Sequence, residues 1–188
     1  MSSSPDLSAL FDRAHVGDAE ALDQLLAILY DELLALARRQ RTRRGAADTL
    51  NTTALVHEAY ARMAQAERLN ITDRLHFFRI AGRAMRGVLV DYARAQQSEK
   101  RGGTLRPLPL DVVGPLSDGS PRIDEVLAVD DALRQLEAFD ARQARIVECR
   151  YFAGMTLEET AEALGVSTAT VKRDWMTARA WLYQALTA

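Results

Sequence analysis

Apolar residues recur at three- and four-residue spacing along most of the chain, the pattern of helices that bury one face. In the last third, Val171, Trp175, Ala178 and Leu182 form such a stripe, which turns Ala169, Arg173 and Thr177 to the opposite side. Upstream, Phe77, Ile80, Ala84, Val88 and Tyr92 form another and predict a helix from about His76 to Ala95. Leu55, Ala59 and Met63 share one face of a further helix, and a helix pair is expected between Leu7 and Leu36. The alternation of a strand finds only a weak match, at Leu108 to Val113. The expected fold class is all-α.

Helical periodicity stops between Glu99 and Arg122, a stretch with four of the chain's five prolines and four of its ten glycines. Such a composition reads as a partly extended linker. It divides the chain into two helical domains, residues 1–98 and 123–188, joined by a Pro/Gly-rich linker over 99–122. No internal repeat is visible.

The second domain carries MTLEETAEALGVSTATVKRDWMTARAWL, two short helices around a tight turn. Thr156 and Glu159 have capping-box spacing, Gly165 suits the positive φ after a helix end, and Ser167 is placed to cap the next helix. A helix-turn-helix of this form presents its second helix to the DNA major groove, whereas an αα-hairpin inside a bundle would have the same punctuation. On the DNA reading, Arg173 is best aimed into the groove, Thr170 and Lys172 flank it, and Arg179 lies nearer the edge, where phosphate contacts occur.

Composition narrows the classes. The chain has 188 residues, 48% of them hydrophobic, enough for real cores. No apolar run approaches the ~18 residues of a membrane span. Asp6, Asp12, Asp18 and Glu20 are foreign to a signal peptide, so a cytoplasmic protein with no membrane partner is expected. Cys149 is the single cysteine and reads as a small core residue, leaving no disulfide framework and no cysteine-based zinc site. His15, His57 and His76 are scattered and no glycine-rich phosphate loop is present, so neither catalysis nor a cofactor is expected.

The formal net charge of −2 conceals an uneven distribution. The first helices are mostly acidic and end in Arg38, Arg39, Arg41, Arg43 and Arg44. On the helix beginning near His76, Arg79, Arg83, Arg86 and Arg94 share a face that holds no acid. Solvated faces usually alternate signs, so this one suggests a phosphate track, with an ordinary soluble face as the alternative.

Together these features resemble the extracytoplasmic-function (ECF) sigma factors, the minimal sigma-70 type with only regions 2 and 4. AHVGDAEALDQLLAILYDELLALARR is similar to region 2.1, LVHEAYARM to region 2.2, and ITDRLHFFRIAGRAMRGVLVDYARAQ to regions 2.3 and 2.4, with region 4 beginning near Val126. The resemblance implies a factor that binds the β′ and β subunits of core RNA polymerase and directs it to promoter DNA. It assigns polymerase docking to the region 2.2-like helix, here Leu55, Val56, Glu58, Tyr60, Arg62 and Met63. Simple core packing is the competing reading for that helix, and it leaves Glu58 and Arg62 as the better exposed contacts. The resemblance further assigns −10 recognition to the loop from Asn70 to Arg74 and to Arg79, Arg83, Arg86 and Arg94, and −35 recognition to Ser167, Thr168, Thr170, Lys172, Arg173, Thr177 and Arg179.

Two departures from the family pattern matter. Before the region 2.2 helix, most such factors carry an acidic cluster where this chain has Asn51, Thr52, Thr53 and Ala54. One of these polar residues is expected to cap the helix. Phosphorylation of Thr53, or of Thr52, would restore about −1.5 to −2 charges at a helix N-terminus, which implies a Ser/Thr protein kinase as a partner. The second departure is TVKRDWMTAR where the family often has TVKSRLSRAR, so Asp174 and Thr177 replace arginines. Asp174 then acts either as a selector against some bases or as a local charge partner. Three rival classes stay in view: a stand-alone helix-turn-helix regulator that binds palindromic operators without polymerase, a helical adaptor that binds only protein, and, least favoured, an enzyme.

Overall fold

A computed structural model describes residues 6–43, 51–66, 71–100 and 123–187, and every regular element among them is helical. The order is α1 (Leu7–His15), α2 (Ala19–Ile28), α3 (Tyr30–Arg43), α4 (Thr52–Ala64), α5 (Arg74–Lys100), α6 (Ile123–Phe139), α7 (Ala141–Val147) running into a π-helical turn (Glu148–Phe152), α8 (Leu157–Leu164) and α9 (Thr168–Thr187). Glu99 and Lys100, the expected start of the linker, are instead the last residues of α5, and the rest of the linker reading, with the weak strand at Leu108 to Val113, lies outside the described residues.

Side-chain caps set most of the helix starts. The Asp6 carboxylate accepts from the Ser8 amide at 3.0 Å, and Asp18 accepts from Glu20 and Ala21 at 3.0 and 3.2 Å. Each of these bonds satisfies an amide that the first helical turn would otherwise leave without an acceptor. Asp18 can cap because Gly17 takes φ +92°, which breaks the chain between α1 and α2. A second break at Leu29 separates α2 from α3. The expected helix pair is therefore three helices, since periodicity alone runs smoothly across both breaks. The predicted helix from about His76 to Ala95 is also longer, Arg74–Lys100.

Further along, Thr156 and Glu159 close a reciprocal capping box at 3.1 and 2.7 Å. Gly165 ends α8 in the left-handed region at φ +64°, and Ser167 Oγ accepts from the Thr170 amide at 3.1 Å to start α9. All three features follow the sequence expectation. A Cβ at Gly165 meets no atom within 4 Å, so only backbone strain opposes a substitution there. Gly165→Ala is expected to lower unfolding free energy by about 1–2 kcal/mol in a denaturant titration. An unchanged midpoint would count against the left-handed assignment.

The long α5 is the axis of the fold. On one side it packs on α4 through Leu55, Val56, Ala59 and Met63, and on α1 and α3 through Phe11, Leu33, Leu36 and Ala37. Phe77 sits at the centre with its ring 6.4 Å from Phe11 and edge-on to Phe78 at 5.6 Å. A second core joins α6, α7, the π turn and α9 through Leu133, Leu136, Ala144, Val147, Phe152 and Ala178. Ile146, Ala161 and Val171 pin the helix-turn-helix to α7.

The two halves are in contact. Cys149, Ala153 and Met155 complete the apolar cluster of α1–α5, and Val126 of α6 packs on Val90 and Ala93 of α5. Gln40 Nε2 bridges them, donating to the carbonyls of Gly82 at 3.1 Å and Phe152 at 3.0 Å. Gly82 is needed at this seam, because a Cβ there would stand 3.1–3.2 Å from the Ala153 backbone. Cys149 is a buried core residue as expected, and burial pushes its thiol up to about 11.

Candidate nucleic-acid and polymerase-docking surfaces

In α9, Val171, Asp174 and Ala178 are buried and Trp175 and Leu182 are half-buried, whereas Ser167, Thr168, Lys172, Arg173, Thr177 and Arg179 are exposed and Thr170 is half-buried. The predicted outward face is thus free of core packing. Thr170 and Ser167 share a hydroxyl contact of 2.9 Å, and Thr177 Oγ1 donates back to the Arg173 carbonyl at 3.2 Å. Two guanidinium groups lie over the ring of Trp175, Arg150 at 5.7 Å and Arg179 at 5.9 Å from its centre. That contact holds Arg179 beside the outer face.

Asp174 resolves into one of its two expected roles. It is buried and accepts from Arg142 Nε at 2.7 Å and Arg173 Nε at 3.1 Å. A carboxylate so enclosed cannot meet a base edge; it is a charge partner that ties α9 to α7 and steadies the root of Arg173. The Arg173 side chain remains largely exposed.

Within the arginine set on α5, the members separate. Arg83 and Arg94 are exposed and Arg79 is half-buried, but Arg86 is only 8% exposed. Arg86 Nε lies 3.8 Å from Asp130 and its Nη2 3.6 Å from Glu148, with the guanidinium 5.3 Å over the Phe152 ring. The expectation that Arg86 lines an open phosphate track is therefore corrected. The helix carries no acid on that face, yet α6 and the π turn supply two, from 44 and 62 positions away, and helical periodicity cannot report them. Arg74 pairs with Glu32 and lies over the Phe78 ring at 5.1 Å. Asn70 lies outside the described residues.

On α4 a similar sorting applies. Leu55, Val56 and Met63 are buried against α5, so the docking role implied for them gives way to core packing. Val56 joins the buried set because α4 packs on α3 as well as on α5. Arg62 is exposed and pairs with Asp91 of α5 at 2.7 Å, and Glu58 is half-exposed. Tyr60 donates its hydroxyl to Asp23 of α2, and burial together with that carboxylate pushes its phenol up to about 12. At the helix start, Asn51 is the cap, accepting from the Thr53 amide at 3.0 Å. Thr53 stands exposed in the first turn, while Thr52 is half-buried. Of the arginines preceding α4, Arg38 and Arg39 are exposed, and Arg44 lies outside the described residues.

Sequence reasoning missed Gln40, Asp130 and Glu148. Asp130 left a trace, a carboxylate at helical spacing with the apolar Val126 and Leu133, but its partners were invisible locally. Gln40 left none.

No helix among the described residues is long and apolar enough to cross a membrane. A comparison with curated proteins gives no match. The family model described as "ECF sigma factor" matches residues 4–188, covering both the α4–α5 unit and the helix-turn-helix. Members of this group bind core RNA polymerase and promoter DNA and regulate transcription rather than catalyse a reaction, and on a match of that extent this chain belongs to the ECF sigma factor family.

Proposed function

We propose that this chain directs core polymerase to two-element promoters, with residues 1–98 serving the −10 element and the polymerase clamp, 99–122 as a linker, and 123–188 serving the −35 element. The observation that carries this reading is the pairing, in one family-matched chain, of a capped helix-turn-helix whose Arg173 face is exposed with an α5 that bears arginines along one side. A stand-alone regulator would use the former and leave the latter without a purpose. Glu58, Tyr60 and Arg62 are the polymerase contacts on this reading; Arg74, Arg79, Arg83 and Arg94 serve the −10 strand; Ser167, Thr168, Thr170, Lys172, Arg173, Thr177 and Arg179 serve the −35 duplex. The experiment is transcription by bacterial core polymerase on a promoter library with the purified chain added. Start sites that depend on the chain support the proposal, whereas stable operator binding without polymerase and no transcription with it would favour a repressor.

Within this reading, Arg173→Ala removes a base-reading contact worth about 1–3 kcal/mol and relaxes the −35 preference, while Arg83→Ala weakens promoter binding evenly across sequences. An unchanged −35 preference in the Arg173 variant would show that its side chain does not read bases.

We also propose that a Ser/Thr protein kinase raises polymerase docking by modifying Thr53, with Thr52 as the alternative. Support comes from the neutral NTTA segment, the exposure of Thr53 and its position in the first turn of α4, where the helix dipole favours an added anion.

A further inference from the structure

Asp174 stands in α9 where the family often has arginine, and its side chain is only 5% exposed. Its two oxygens hold arginines from two different helices. Arg142 of α7 donates Nε to Oδ2 at 2.7 Å, and Arg173 of α9 donates Nε to Oδ1 at 3.1 Å. Because both bonds run through Nε, each guanidinium keeps its two Nη groups for another partner. Among the described residues, those groups form no hydrogen bond. The Arg142 side chain is 52% exposed and that of Arg173 69%, so both forks lie open to solvent.

Two guanidinium groups brought this close repel each other unless an anion lies between them, and the shared carboxylate offsets that repulsion. Asp174 thus removes a cation from α9 and draws one in from α7. Around Arg142 the surface stays cationic: Arg145, three positions on and on the same side of α7, is exposed, and Ala141–Val147 contains no acid. A strut that merely ties α7 to α9 would need the Nε bond alone, with no call for a free fork in water. What the fork can meet follows from the size of the groove. The major groove is about 12 Å wide and admits one helix, so with α9 inside it a cation delivered from α7 meets the sugar-phosphate wall rather than a base edge.

We propose that Arg142 is a further DNA contact of the −35 surface, clamping a backbone phosphate beside the base that Arg173 reads, and that Asp174 is the positioning residue that sets both forks. This rests on the reading of α9 as the −35 helix. Arginine suits the contact because its planar fork meets two phosphate oxygens at once, which a lysine ammonium cannot do. Held at Nε, Arg173 keeps its Nη edge turned away from the core instead of sampling the neighbouring phosphates. Arg142 lies upstream of the helix-turn-helix, so the spacing of that motif gives no sign of it.

The test assembles the full chain with bacterial core polymerase and measures affinity for a fluorescent double-stranded promoter fragment against salt, together with −35 preference in a promoter library. Far-UV circular dichroism identifies which variants keep the helical fold. Arg142→Ala is expected to weaken binding about three- to tenfold at every −35 sequence and to lower the salt slope by about 0.9, the share of one phosphate. Arg142→Lys keeps the point charge and should return the slope to that of the unsubstituted chain, which it would not do if Arg142 were only a strut. Asp174→Asn keeps the shape without the charge, and should flatten the preference at the position that Arg173→Ala relaxes while the slope does not fall. A slope left unchanged by Arg142→Ala overturns the phosphate contact, and a preference that survives Asp174→Asn overturns the positioning role. If Asp174→Asn does not fold, the two Arg142 variants, altered at a half-exposed side chain, still decide the contact. The −35 reading itself fails separately and earlier, if the unsubstituted chain starts no transcription from any member of the library.

Discussion

Phe77→Ala lowers the unfolding free energy by about 3–5 kcal/mol, whereas Phe139→Ala changes it by less than about 0.5 kcal/mol. The two substitutions delete the same atoms. Phe77 is 1% exposed, at the point where α1 and α5 meet, with aromatic rings on two sides, and its loss removes the transfer energy of the ring and leaves a cavity that three helices cannot collapse. Phe139 ends α6 with 77% of its surface in water, so little burial is lost. Urea titration followed by circular dichroism measures both. Equal midpoints for the two variants would contradict the central place given to α5.

Kinase treatment is expected to raise the affinity of the chain for core polymerase by more than tenfold, and the gain is expected to vanish when Thr52 and Thr53 are both alanine. The magnitude follows from the bonds a phosphate can make. Hydrogen bonds to charged groups contribute about 1.5–3 kcal/mol each, and about 1.4 kcal/mol is a factor of ten, so one or two arginines on the polymerase side suffice. The location favours the modified state, since Thr53 is exposed in the first turn of α4, where the helix dipole stabilises an anion. Glutamate at the same position carries a single charge and reproduces only part of the effect. Equally tight binding by the unmodified chain, the treated chain and the double-alanine chain would remove the switch. A gain retained by the double-alanine chain would move the modified residue elsewhere.

What the sequence disclosed and what it withheld divide along range. Caps are encoded within four residues, so Thr156, Glu159, Gly165 and Ser167 were legible, and so was the outward face of α9. The breaks at Gly17 and Leu29 were not, because an apolar stripe continues across both and the geometry is decided by a single positive φ and by packing on α4. The outward set of α9 was legible because the core stripe settles which residues remain outside. The α5 candidates were legible only as a set. Arg83, Arg86 and Arg94 share one face, yet only contacts from α6 and the π turn distinguish the sealed Arg86 from its exposed neighbours. Val56 and Asp174 were misread or left open for the same reason, each being enclosed by a helix remote in sequence.

The placement of the two acids also has a consequence for the newborn chain. All the arginines of α5 precede Asp130 and Glu148, and Gln40 must wait for Phe152, 112 residues later, before its second carbonyl exists. Ribosomes add roughly 5–20 residues per second, so for a few seconds the emerging first half displays a bare cationic helix in surroundings crowded with ribosomal and messenger RNA. The arrival of the second half ends that interval for Arg86, while Arg83 and Arg94 stay exposed. Truncated products that stop inside residues 101–122 never reach this point, and are expected to bind RNA more tightly than the full chain does.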